Sequence, residues 1–229
     1  MAYDGIMLSR VVEQLQNQLT RGKINKIYQI SQYELLFHIR SQRENFKLLI
    51  SIHPVYARIQ LTQLSYPTPA SPNALTMLLR KHLEGISDKE IAGMNIPTGV
   101  PLVYHLNELK DTVKYHLYLE IMGKHSNAIL TYDNNKIIDC LKRVSPAMSA
   151  RILQPGATYN QPPLIEKKNP FTSEWMETDN LTKTYQGFSP ELSKEVLYRI
   201  HHGETFQDII QLLQHSQNIY IHKYQDKEY

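Results

Sequence analysis

A chain of 229 residues with 41% hydrophobic and 21% charged content is long enough to bury a sizeable core and too apolar to be disordered. It has no run of about 18 apolar residues to span a membrane, and Met1-Ala-Tyr-Asp-Gly5 has no basic stretch leading into an apolar one. A single cysteine, Cys140, excludes an internal disulfide and a cysteine-cluster zinc site, and these features together favour a reducing cytoplasm.

The net charge of +3 conceals an asymmetry. Residues 161–229 hold seven Lys/Arg against ten Asp/Glu, which leaves +6 on residues 1–160. Within 21–58, Arg21, Lys23, Lys26, Arg40, Arg43, Lys47 and Arg58 face only Glu34 and Glu44. A basic half of this kind suits a polyanionic partner, although solvated strand faces are often basic too.

In chain order, Leu8, Val11, Val12, Leu15 and Leu19 recur at helical spacing, so 5–20 reads as an amphipathic helix with Asp4 at the N-cap position. Alternation in 33–39 and 46–52, then a run at 57–61, predicts an antiparallel meander turning at Ser41–Asn45 and His53-Pro54. Three prolines mark 65–73 as a connection, and 74–83 reads as a helix that ends in Arg80, Lys81 and His82, cations that suit the helix dipole. Residues 86–110 are the least regular. A long strand is expected at 112–121, then strands at 126–131 and 136–141 joined by a turn at Asp133–Asn135. Residues 143–163 are loop-rich.

These elements assign 1–165 to one domain, 166–185 to a polar linker and 186–229 to a helical module. In the last, Ser189-Pro190 opens one helix, a second runs over 205–215, and 218–224 is a strand or a fray.

The chain is organised around Leu119-Glu-Ile-Met-Gly-Lys-His-Ser-Asn-Ala-Ile-Leu-Thr131. Two apolar runs flank Gly123, and Lys124, His125, Ser126 and Asn127 stand between them without a hydrophobic partner. Glycine permits a tight corner. A cation, an imidazole, a hydroxyl and an amide on that corner suit phosphate or an RNA end, and an ordinary solvated turn accounts for the same residues.

Catalytic patterns are missing: the sequence has no glycine-rich phosphate loop, GxSxG elbow, HExxH or CxxC. The histidines are scattered, and the adjacent pair His201-His202 cannot face one site from a helix. We expect a binding protein, not an enzyme, with no metal or other cofactor.

Several strings resemble one family. Met1-Ala-Tyr-Asp-Gly5, Lys23-Ile-Asn-Lys-Ile-Tyr-Gln29, Lys47-Leu-Leu-Ile-Ser-Ile-His-Pro54, Leu78-Leu-Arg-Lys-His-Leu-Glu-Gly85, Glu120-Ile-Met-Gly-Lys-His-Ser-Asn127 and Leu153-Gln-Pro-Gly-Ala-Thr-Tyr159 look like the N-terminal domain of NFACT proteins. That family includes bacterial RqcH, eukaryotic NEMF and Gram-positive fibronectin/fibrinogen-binding proteins. The resemblance implies an α+β fold: an antiparallel β-sandwich with flanking helices, similar to the N-terminal part of formamidopyrimidine-DNA glycosylases, then a helix-two-turns-helix-like module. Those glycosylases use an N-terminal proline, and Ala2 stands here, so their chemistry is not expected.

The resemblance further implies tRNA and the obstructed large ribosomal subunit as partners, in mRNA-independent tailing of stalled chains. The adhesin naming within the family points instead to fibronectin or fibrinogen at the cell surface. Carried over, the RNA-binding residues are Asp4, Glu120, Lys124, His125, Ser126 and Asn127, with Arg80, Lys81 and His82 added on charge.

One segment departs from the family. An Asp-Arg pair is expected after the LEGG string, but residues 86–106 lack it and, running on from Lys81–Gly85, look like the C-terminal part of cofactor-dependent phosphoglycerate mutases. No Arg-His-Gly motif accompanies the segment, so mutase activity is not expected. The family's coiled coil and C-terminal RNA-binding domain are expected to lie beyond this chain.

Overall fold

The computed structural model describes residues 3–85, 89–92, 102–107, 114–163, 166–216, 223–224 and 227–228. They form two compact units: one takes the chain up to Arg10 and from Pro163 onward, the other runs from Val11 to Pro162. The architecture is α+β, with antiparallel sheets and flanking helices.

Helix α1 (Gly5–Leu19) starts where Asp4 accepts the Met7 N–H at 2.9 Å, and it buries Leu8, Val11, Val12, Leu15 and Leu19. The first sheet is a four-strand meander: β1 (Lys23–Ser31), β2 (Glu34–Ser41), β3 (Glu44–Ser51) and β4 (Arg58–Leu61). The alternation pattern predicts only the last three strands. In β1 a register shift between Ile24 and Lys26 breaks the period of two, so Ile24 and Ile27, both buried, stand three apart. The turn expected over Ser41–Asn45 closes on two residues, Gln42 and Arg43, at φ 49° and 67°, the backbone that a tight hairpin requires.

Helix α2 (Ala74–Leu83) starts at Asn73, whose side chain accepts the Thr76 N–H. It contacts β1 and β9, one strand from each sheet. It also closes the open edge of β1. Arg80 Nε donates to the Ile27 carbonyl at 2.9 Å, Glu84 accepts the Ile27 N–H at 2.9 Å, and Gly85 N–H donates to the Ile24 carbonyl at 2.9 Å.

The second sheet runs β5 (Lys89–Ala92), β6 (Leu102–Asn107), β7 (Lys114–Glu120), β8 (Asn127–Tyr132) and β9 (Ile137–Cys140) in sequence order. Two strands thus occupy the stretch read as least regular. The rest of 86–106, where the family pair is missing, lies outside the described residues.

In the other unit, α3 (Leu181–Thr184), α4 (Pro190–His201) and α5 (Phe206–His215) surround a core of Ile6, Leu181, Tyr185, Phe188, Val196, Phe206, Ile209 and Ile210. The polar stretch 166–185 supplies two of these, the fully buried Leu181 and Tyr185. Ser189 and Thr205 cap α4 and α5 by accepting the Leu192 and Asp208 N–H groups. The residues expected as a strand or fray include β10 (Lys223–Tyr224), which pairs with β11 (Lys227–Glu228); 217–222 lie outside the described residues.

The N-terminal string is built into this unit. Asp4 Oδ2 accepts the Ser189 N–H at 3.4 Å, and Ile6 N–H donates to the Gly187 carbonyl at 3.2 Å. A Cβ placed on Gly5 would lie 2.5 Å from Gly187 Cα, so only glycine allows this approach. Gly5→Ala is expected to cost about 1–3 kcal/mol of stability, read by chemical denaturation, against about 0.5 kcal/mol or less for Ala at the exposed Gln14.

Candidate nucleic-acid interface

Strands β7 and β8 pair from Tyr115↔Tyr132 to Glu120↔Asn127, and the chain reverses between the latter two. The reversal is a single 3-10 turn over Gly123–His125, in which Met122 and Gly123 carbonyls accept the His125 and Ser126 N–H groups. Gly123 sits at φ +55°, where a side chain would be strained.

The polar residues of this corner divide sharply. Ser126 is 0% exposed, and its hydroxyl accepts the Met122 N–H at 2.8 Å. Asn127 is 1% exposed and clamps the chain beyond β9: its Nδ2 donates to the Lys142 carbonyl at 2.7 Å, and its Oδ1 accepts the Lys142 and Ala128 N–H groups, each at 2.9 Å. Lys124 and His125 are exposed, and among the described residues no side-chain hydrogen bond engages them. Lys142 adds a second lysine to the corner, its Nζ donating to the Lys124 carbonyl at 2.7 Å.

Glu120 is fully buried. Arg151 grips it with both guanidinium arms, Nη1 to Oε2 at 2.9 Å and Nη2 to Oε1, and the Tyr159 hydroxyl donates at 2.9 Å. Tyr159 stacks on Tyr118 with 3.9 Å between centroids, and the Arg151 guanidinium lies over the Tyr159 ring at 5.3 Å. Burial, then the adjacent carboxylate, pushes the Tyr159 phenol far above its ordinary value, so it stays a donor. The Glu120 charge is neutralised internally, so it supports the corner without reaching outward. Arg143 is similarly occupied, holding Asp139 through Nε at 3.1 Å and Nη2 at 2.9 Å.

The α2 cations lie elsewhere. His82, 9% exposed, sits against Tyr115 at 4.8 Å and Tyr132 at 6.1 Å. That is the opposite end of the β7–β8 hairpin from the corner, about 17 Å along the strand at roughly 3.3 Å per residue. Arg80 is held on β1, over Tyr28 at 5.3 Å and beside Glu84 at 3.4 Å, while Lys81 is exposed. Asp4 belongs to the other unit, where it caps α1. Burial raises its pKa against the hydrogen bonds from Met7 and Ser189, which lower it.

No motif in the sequence marks Lys142 or Arg151. Both lie in or beside the loop-rich stretch, and of the two side chains that hold Glu120 only Tyr159, in the LQPGATY string, falls in a family string. Among the described residues no group of three or more His, Cys, Asp or Glu could hold a metal ion. No helix among them is long and apolar enough to cross a membrane.

Residues 4–228 match the family model for NFACT N-terminal and middle domains. The chain belongs to the NFACT family. It is 37% identical over 210 residues to the Rqc2 homolog RqcH of Streptococcus pneumoniae, covering 86% of this chain and 38% of that protein. It is 36% identical over 218 residues to RqcH of Bacillus subtilis, covering 87% and 38%. The chain therefore spans about two fifths of these relatives. Among solved structures, the N-terminal part of the fibronectin/fibrinogen-binding protein of Streptococcus suis superposes with a TM-score of 0.82 at 30% identity, covering 94% of this chain and 85% of that one. The N-terminal domain of the fibronectin-binding protein PavA of Streptococcus pneumoniae gives 0.78 at 33%, covering 97% and 92%.

A stretch of 52 residues is also 54% identical to a 2,3-bisphosphoglycerate-dependent phosphoglycerate mutase of a Nocardioides species, covering 22% of this chain and 21% of that enzyme. The mutase likeness is thus local, inside an NFACT chain.

Arg151→Ala leaves a wholly buried carboxylate without its cation and is expected to cost about 3–5 kcal/mol. Glu120→Ala should cost less, because the Arg151 side chain is 21% exposed and can rehydrate. Denaturant titration of the two variants ranks them. The Cys140 thiol, 3% exposed and donating to the Leu153 carbonyl, is pushed up to about 12, first by burial. A thiol reagent at pH 8 should label it only as fast as the protein unfolds.

Proposed function

We propose that this chain is the N-terminal part of an RqcH-like ribosome-associated quality-control factor in the cytoplasm. In this reading it helps hold tRNA on the obstructed large ribosomal subunit, in support of mRNA-independent tailing of stalled nascent chains. The observation that carries the reading is the corner itself: Lys124 and His125 stand exposed on a turn whose other polar groups are buried and bonded, beside Lys142. The similarity to RqcH proteins supports it.

Phosphate oxygens fit this arrangement because they need cations and N–H donors in fixed positions, not base-edge geometry. Glu120, Ser126 and Asn127 then act by positioning, while Lys124, His125 and Lys142 touch the backbone of the RNA. Lys81 remains a separate exposed cation. The chain binds and does not catalyse in this reading, and it calls on no cofactor. A second reading, a surface adhesin for fibronectin or fibrinogen, draws on what the similar solved domains are described as binding.

Binding of labelled tRNA across a salt series tests the proposal. Affinity should fall steeply with salt, and Lys124→Ala/His125→Ala should reduce the slope of log K against log salt by about 1–2. An unchanged slope removes the corner from the interface. Retention on immobilised fibronectin at micromolar concentration, with no tRNA bound at low salt, moves the assignment to the adhesin.

A further inference from the structure

The connection between β3 and β4 carries an aromatic stack that the phosphate contacts do not use. His53 Nδ1 accepts the N–H groups of Val55 at 3.2 Å and Tyr56 at 3.3 Å, so the imidazole is locked into its own turn. Tyr56 stacks on it at 4.9 Å and 20°, and Tyr33, from the β1–β2 turn, meets it edge-on at 5.4 Å and 89°. Two bonds brace the assembly: Ile52 N–H to the Tyr33 carbonyl at 2.8 Å, and Arg58 Nη1 to the Tyr56 carbonyl at 3.0 Å. Yet Tyr56 is 64% exposed and Val55 74%. Internal hydrogen bonds thus hold a ring stack that ends in an open tyrosine.

Its place gives it a purpose. A Cβ at Gly123 would lie 3.7 Å from the Pro54 carbonyl, so the connection touches the cationic corner. Pro54 follows His53 and Lys124 follows Gly123, which sets the ring stack and the exposed Lys124 on adjoining backbone. Among the described residues, Glu34 is engaged by Arg58 at 3.8 Å and Glu120 by Arg151. A flat π-face on backbone adjoining the exposed Lys124 matches a nucleotide, whose base stacks while its phosphate meets the cation.

We infer that Tyr56, seated on His53 and Tyr33, is a stacking platform for an unpaired base of the RNA whose phosphates meet Lys124 and His125. The inference rests on the proposed RNA-binding role and names a subsite within it.

The test uses a single-stranded RNA carrying 2-aminopurine, whose fluorescence quenches on stacking, with wild type, Tyr56→Ala, Tyr56→Phe and Lys124→Ala/His125→Ala. Wild type should quench the probe. Tyr56→Phe keeps the ring and should behave alike, whereas Tyr56→Ala should bind about tenfold more weakly with the quench lost and the salt slope unchanged. Because Tyr56 is mostly exposed, its unfolding midpoint should not move. Wild-type affinity and quench in Tyr56→Ala overturn the platform, and if Lys124→Ala/His125→Ala still flattens the salt slope, the RNA-binding role stands without it. Failure of wild type to bind any RNA at low salt overturns both. Loss of fibronectin retention in Tyr56→Ala with RNA binding intact makes the stack a protein contact and overturns the inference as well.

Discussion

The buried Glu120 carboxylate is the constraint on which the second sheet and its corner depend. An anion with no solvent contact survives only if its lone pairs are filled, and here one guanidinium and one phenol fill them. Because Arg151 and Tyr159 come from the loop-rich stretch after β9, satisfying the charge pins that stretch against the strands. Tyr159 and Leu153 then join Tyr118, Ile129, Ile137 and Cys140 in one apolar cluster. A segment with little regular structure is thereby held in a single place.

The Asn127 clamp extends the same logic to the surface. Its side chain satisfies both backbone groups of Lys142, so the chain leaving β9 lies beside the Gly123 turn. Four polar residues in a row, Lys124 to Asn127, thus divide into two that hold the corner and two that face water. Bonded support beneath the exposed Lys124 and His125 leaves little order to be imposed on the turn by any contact made there. The neighbouring His53–Tyr56 turn follows the same pattern, with backbone N–H groups locking a ring whose stacked partner stays open.

Strings that mark the family most strongly turn out to perform structural tasks. In the LLRKHLEG string, Arg80 and Glu84 bond the Ile27 carbonyl and N–H in β1, and His82 meets the rings of Tyr115 and Tyr132. At the start of the chain Asp4 caps a helix and receives the Ser189 N–H, and Gly5 makes room for Gly187. Charge alone placed Arg80, Lys81 and His82 with the RNA-facing set. The fold puts His82 at the far end of the β7–β8 hairpin from the corner, holds Arg80 on β1 and leaves Lys81 exposed.

Local pattern determined much of this protein. Helical spacing located α1, α2, α4 and α5, alternation located β2 and β3, and the Asp133–Asn135 turn and the Gly123 corner were legible because turns need particular residues. The α+β class was what the family resemblance implied, and the sheets and helices bear it out. Strand β1 was hidden by its bulge, and the polar composition of 166–185 masked Leu181 and Tyr185, since two buried side chains barely change an average over twenty residues. What only the tertiary structure decided is the direction in which each polar side chain works. Glu120, Ser126 and Asn127 face inward because their partners, Arg151, Tyr159 and Lys142, arrive from 15 to 39 residues away, except for the local Met122 N–H bond to Ser126. Likewise Pro54 meets Gly123 only through the fold. Hydrogen bonds and charges act through space, and no periodicity in the chain encodes a distance between residues so far apart.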